Sequence, residues 1–409
     1  MRDPRPGGGE ARPFDQPDPP GARRAQGAGQ AVRGGAHPLV SSFPRQSSPA
    51  VQDDPRPLCS LSVDLDGLAH YARIYGFSSP LAGDQVYARG LPRLLDLCAE
   101  LGLPATLFAI GADLADPGHA AALAAATACG HEVASHSQAH DYALTRLPAA
   151  AQAADLDAAA QAIARATGRP PLGFRAPGYT VSPRLLALLA ERGYVYDSSV
   201  LASPPYYLLK AAALTVLGLT GRRSASILGD PLVMTAPAVP YLPGGHGYRH
   251  RRGGEPAAAP LELPIAVLPG LRLPLFGQTL FLLGSSALAA LVPRLARTRP
   301  HLVLELHGID ALGVAEDGLP PQLLVQPDLR LALVDKLRIL REVLLALGRS
   351  YRFVTLAEAA EVWGSYTPDH RSATGTNVQG ITMPPLVLDR DLDLDLAGGG
   401  AVQVQVQRF

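Results

Sequence analysis

Apolar positions in this chain recur in two rhythms that alternate along its length. Short apolar runs predict strands at 58–65, 105–110, 132–135, 173–176, 194–197, 261–267, 302–306 and 352–355. Three- and four-residue apolar spacing predicts helices near 87–101, 118–129, 150–167, 182–192, 285–299 and 328–348. Ser182 followed by Pro183 supplies a capping hydroxyl and a first-turn proline. Gly102, Gly130, Gly168 and Gly193 each follow a helical pattern, where left-handed C-caps are expected. Repeated β–α alternation calls for a parallel sheet with helices outside it. About eight strands in roughly 300 residues suit an α/β fold, a (β/α) barrel.

The rhythm breaks over 198–260, which reads as an insertion over the barrel mouth that shapes substrate access. Residues 58–365 are thus expected to form the barrel. Residues 1–57, rich in Gly, Pro, Arg and Gln, read as a disordered leader, and 366–409 as a disordered tail. The alternating Asp and Leu of 389–396 fit a solvated end.

Of 409 residues, 47% are hydrophobic, enough for a large core. The 36 basic and 36 acidic side chains cancel, which removes the footprint of a nucleic-acid binder. Cys59, Cys98 and Cys129 are odd in number, lack C-x-x-C spacing and sit beside apolar residues, so buried free thiols are expected. No signal peptide and no apolar run of roughly 20 residues is visible, which points to the cytoplasm. Residues 205–219 join two tyrosines and Lys210 to a Leu, Ala and Val run, suited to peripheral contact with the inner membrane face. Arg249, Arg251 and Arg252 follow and suit a phosphate linkage. Oligomeric state is not legible.

The chemistry gathers at predicted strand ends. Asp64 and Asp66 lie two apart, so their carboxylates leave one face and repel unless a cation or proton intervenes. His136 and His140 are four apart, and a helical turn would put both imidazoles on one side, with Ser137 capping it. With Asp66 they make a three-ligand set that leaves room for water, the composition of a catalytic metal site. Arg175 can hold Asp64 ionised as a base, and the Pro177–Gly178 turn can present N–H groups to an oxyanion. His307, at the end of an apolar run, is placed to protonate a leaving amine, with Asp310 and Asp197 as candidates to orient it. His131 precedes the strand and reads as structural.

Together, the segments Ser62-Val-Asp64-Leu-Asp66, His136-Ser-Gln-Ala-His140, Phe174-Arg175-Ala-Pro177, Tyr196-Asp197 and Leu304-Glu-Leu-His307 resemble the polysaccharide deacetylase family. This is the NodB homology domain of carbohydrate esterase family four. The resemblance covers about 58–363. It implies a distorted (β/α) barrel of the NodB type and removal of acyl groups, usually N-acetyl, from amino sugars. Carried over by motif, it implies Asp64 as base with Arg175 as its partner, His307 as acid, and Asp66, His136 and His140 as ligands of a divalent cation, Zn²⁺. Leu65 separates the two aspartates, which resembles the branch that deformylates lipid-linked aminoarabinose. Gly178-Tyr179 reverses the usual order after the proline, and the fourth motif lacks its tryptophan. The expected activity is hydrolysis of an N-acetyl or N-formyl amide on an amino sugar, in a polysaccharide or a glycolipid. An amidohydrolase of a small nitrogenous metabolite and an inactive glycan-binding module are the alternatives.

Overall fold

The computed structural model describes residues 54–364, without 80, 82, 246 and 251–258. The expected leader up to 53, the tail 366–409, and Arg251 and Arg252 therefore lie outside the described residues. The chain runs β1 Leu58–Asp64, α1 Leu68–Tyr75, α2 Leu91–Leu101, β2 Ala105–Ala109, α3 Pro117–Ala128, β3 Glu132–Ser135, α4 Ala149–Thr167 and β4 Gly173–Phe174. It continues through α5 Pro183–Glu191, β5 Tyr196–Asp197, α6 Pro204–Leu219, β6 Leu261–Glu262, α7 Gly277–Thr298, β7 His301–His307, α8 Val314–Asp317, α9 Leu333–Gly348, β8 Arg352–Phe353 and α10 Leu356–Gly364.

All strand pairs are parallel, in the order β6-β5-β4-β3-β2-β1-β7, with β8 pairing the start of β1. Isolated bridges Ile265–Val303 and Phe276–Glu305 bring the chain after β6 onto the free side of β7, so the sheet curls round as a distorted barrel. The strand predicted over 261–267 shortens to Leu261–Glu262 because Pro264 has no N–H for a ladder. Elsewhere the short strands begin or end within two residues of their predicted bounds or lie inside them, and β3 matches to the residue.

Alternation along β1 separates two environments. Cys59, Leu61 and Val63 pack in the main core cluster with residues of α2, α7 and α9. Ser60, Ser62 and Asp64 take the other face and are just as buried. Register sets Ser62 beside Glu305 and Asp64 beside His307 on β7. The inward face of β1 is therefore polar, and it leads upward to the strand ends. Low in the barrel, Glu132 accepts bonds from the hydroxyls of Thr106 and Tyr196, both at 2.8 Å. The Tyr196 ring lies across Gly173, where an added Cβ would meet the ring at 1.8 Å.

The expected caps form. Ser182 accepts the Leu185 N–H at 3.2 Å, and Gly102, Gly130, Gly168 and Gly193 all have positive φ. Helix α7 begins earlier than predicted, at Gly277, and by length and composition it could cross a membrane. However, Gly284 breaks it (φ 74, ψ 163), so neither part reaches the roughly 20 residues a span needs. Helix α7 also packs on α9 through core residues such as Leu288 and Val292. Cys59 and Cys98 are buried thiols as expected, but Cys129 is exposed, because it caps the solvent end of α3.

Candidate active site

The strand register assembles the site. Asp64 ends β1 and Asp66 follows two residues on; they are 1% and 4% exposed. His136 follows β3, where its N–H still donates to Ala109 O at 2.8 Å and so continues the ladder to β2. His136 Nε2 lies 3.5 Å from Asp66 Oδ1, His140 Nε2 lies 3.2 Å from the same oxygen, and the two nitrogens are 3.2 Å apart. The histidine pair is not on a helical turn, contrary to the sequence expectation. Ser137 and His140 have φ of 66° and 49°, a left-handed backbone that a right-handed helix excludes. Two other anchors hold the loop: Ser137 Oγ accepts the His140 N–H at 3.0 Å, and the Asp155 carboxylate accepts the N–H groups of Gln138 and Ala139. A strained residue kept by such over-determination is common where a side chain must be aimed.

These three groups fit a divalent cation. Asp66 Oδ1 is buried and makes no hydrogen bond. Ligands at about 2.1 Å around a tetrahedral ion stand about 3.4 Å apart, close to the separations found here. His136 Nδ1 bonds the carbonyl of Arg175 at 2.8 Å, which assigns the ring proton to Nδ1 and turns the Nε2 lone pair toward Asp66. Burial works to raise the Asp66 pKa, but His140 and His136 outweigh it and hold the carboxyl well below its usual range.

Asp64 stands beside this group, not within it. Its Oδ1 accepts from Arg175 Nη1 at 2.6 Å, and its Oδ2 lies 3.6 Å from His136 Nε2. Arg175 is fully buried and its donors are well used: Nε to Ser198 O at 2.9 Å, Nη2 to Ser62 Oγ at 3.1 Å and to Ser198 Oγ at 3.0 Å. Phe108 stacks under the guanidinium at 4.1 Å. Burial would raise the Asp64 pKa, yet Arg175, His136 and His307 together keep it lowered.

Glu305 carries no role in the sequence reading, yet it completes this layer. It is fully buried, accepts the Tyr179 hydroxyl at 2.8 Å and sits 3.7 Å from Arg175 Nη1. Burial raises its carboxyl to about 7 against the pull of Arg175. Its signal was its place two residues before His307 on one strand, which sends both side chains into the barrel. Asp64, Glu305 and His307 also cluster within cation reach, but Arg175 already supplies the positive charge there. Burial opposes protonation of His307, but Glu305 and Asp64 override it and bring its pKa to about 9.

The remaining candidates divide. Asp310 Oδ2 accepts the His307 backbone N–H at 2.8 Å, so it holds the chain that carries the imidazole. Asp197 is engaged elsewhere: it accepts the Ser199 hydroxyl at 2.5 Å and pairs in register with Glu262. His131 Nδ1 accepts the Ala105 N–H at 3.1 Å, a structural role. The Tyr179 N–H donates to Ala176 O at 3.1 Å. Gly178 has φ 65, and a Cβ there would meet Tyr142 at 2.7 Å. From the 198–260 stretch, Lys210 Nζ reaches Gly178 O at 3.4 Å and the Tyr206 ring stands 5.7 Å from Tyr179.

Residues 81–196 match the family model described as polysaccharide deacetylase. A peptidoglycan deacetylase of Helicobacter pylori is 30% identical over 164 residues, 37% of this chain and 52% of that protein. The chain thus spans about half the length of this curated relative. Among solved structures, a polysaccharide deacetylase-like protein of Mycobacterium smegmatis aligns over 83% of this chain and 99% of its own, at 18% identity and TM-score 0.46. A family 4 carbohydrate esterase from Streptomyces lividans aligns over 73% and 91%, at 16% identity and TM-score 0.38. The matched sequence segment contains His136, His140 and Arg175, and over it the chain is similar to the polysaccharide deacetylase family.

Proposed function

We propose that this protein is a metal-dependent hydrolase that removes an N-acetyl or N-formyl group from an amino sugar of a polysaccharide or lipid-linked glycan. The observation that carries the reading is the division of labour between the two aspartates. Asp66 shares its free oxygen with His136 and His140, whereas Asp64 is bound to Arg175. Asp66, His136 and His140 would hold the cation, and zinc suits two imidazoles and one carboxylate. Lewis acidity, which makes a water acidic near neutral pH, is what a cation at these residues contributes.

The chain's own groups do the rest. Asp64, kept ionised by Arg175, accepts the proton of the attacking water. With the Tyr179 N–H engaged by Ala176 O, the Gly178 N–H is the oxyanion donor we assign. His307, protonated at neutral pH, donates to the departing amine. The unpaired Cys59, Cys98 and Cys129 suit a cytoplasmic, reducing setting.

The test is acetate and formate release by zinc-loaded full-length protein from a panel of N-acylated amino sugars, oligomeric and lipid-linked. The proposal predicts release from at least one class, abolished by a chelator and restored by zinc. Full zinc occupancy with no release from any amide would overturn it.

A further inference from the structure

The helix that leans on the site is itself out of place for a water-soluble surface. In α6, only Tyr207 is buried. Leu208, Leu209, Val216 and Leu219 are 70%, 72%, 58% and 83% exposed, and Ala212 and Ala213 between them are exposed as well. Positions 208, 212, 216 and 219 follow helical spacing, so they form one continuous apolar stripe, widened by 209 and 213. A nearly all-apolar helix is normally inside a protein or a membrane. The helix is well made: Ser203 Oγ accepts the Tyr206 N–H at 3.3 Å, and Pro204 and Pro205 occupy the first turn.

Charge around the stripe has one sign. Exposed Arg222 and Arg223 follow the helix C-terminus, and no Asp or Glu occurs between 204 and 229. Anionic lipid attracts basic residues flanking an apolar helix. The inner side of α6 abuts the site, through Lys210 on Gly178 and Tyr206 on Tyr179 and Phe276.

We propose that α6 is a membrane-docking helix that lays its exposed apolar stripe on an anionic bilayer and brings the active site to headgroup level. The substrate is then an amino sugar carried on a lipid. The substrate half rests on the hydrolase reading; the docking half does not.

The test is flotation of the full chain with phosphatidylglycerol–phosphatidylcholine vesicles and with phosphatidylcholine alone, beside amide hydrolysis of a soluble N-acylated amino sugar. Wild type should float with the anionic vesicles. Leu208→Asp with Leu209→Asp should stay at the bottom, with its melting curve and soluble-substrate activity unchanged. Arg222→Gln with Arg223→Gln, both exposed, should weaken anionic binding roughly 25-fold, about 1 kcal/mol per arginine. Wild type left at the bottom with anionic vesicles overturns docking. So does a dimer that Leu208→Asp with Leu209→Asp splits, which would assign the stripe to a second copy. Flotation without amide hydrolysis leaves docking standing and sinks the hydrolase reading; hydrolysis without flotation does the reverse.

Discussion

Replacing Glu305 with glutamine should change how stability depends on pH more than it changes the fold. Gln keeps an oxygen for the Tyr179 hydroxyl, which Glu305 accepts at 2.8 Å, but it cannot ionise. In the folded chain the Glu305 carboxyl rises to about 7 from an ordinary 4.5, with burial the largest cause. Its folded pKa lies above its unfolded one, so the native state holds the proton more tightly between the two. Its stabilising contribution is full below about 4.5 and is lost as pH rises through about 7. At 1.36 kcal/mol per pH unit, the gap from 4.5 to about 7 amounts to roughly 3 kcal/mol, most of which falls between pH 5 and 8. His307, which Glu305 helps keep protonated, is shifted in the same sense and does not cancel this. Urea unfolding of chelator-treated wild type and Glu305→Gln at pH 5, 6, 7 and 8 reads the effect directly. The difference in unfolding free energy should swing toward the variant by roughly 2–3 kcal/mol across that range. Parallel curves, with a difference constant within about 0.5 kcal/mol, would show that Glu305 ionises normally and that the account of this layer is wrong.

Other substitutions separate the remaining roles. His136→Ala should lose bound zinc by elemental analysis while keeping its circular dichroism; full occupancy would remove it from the ligand set. Asp64→Asn should keep zinc and lose roughly 10²–10⁴-fold in turnover; if it loses the metal and Asp66→Asn does not, the two aspartates have exchanged roles. His307→Ala should lower turnover of an alkyl amide far more than of an ester with an acidic leaving group, which needs no proton; equal losses would argue against an acid role. Arg175→Lys should cost about 3 kcal/mol in unfolding free energy, because one ammonium cannot replace the four contacts to Asp64, Ser62 and Ser198.

Much of this was legible because two signals are local. Period-two and period-3.6 apolar spacing is written in neighbouring residues, so β3 and the helices near β2 and β4 can be located from sequence. The same holds for Asp64 and His307, whose place at strand ends follows from the apolar runs before them. The rest depends on contacts distant in sequence. The left-handed backbone at His140 is held partly by Asp155, and nothing within the His136–His140 segment announces it. Glu305 reads as an ordinary acid until the register sets β7 against β1 and puts Arg175 beside it. For α6 the composition already suited an interfacial helix, but which of its faces is bare is set by packing distant in sequence.

Arg175 touches both halves of the site at once, with its guanidinium on Asp64 and its carbonyl on His136 Nδ1. A single residue thus acts as a common mount for the proposed proton acceptor and one of the candidate ligands. Small shifts of β4 would carry the two together and leave their separation almost unchanged, so the site should tolerate drift in its surroundings better than its tight distances imply. The same coupling limits redesign. The pocket can be reshaped from the loops around it, but the spacing between acceptor and imidazole cannot be tuned by substituting side chains alone, because one end of that spacing is set by main chain.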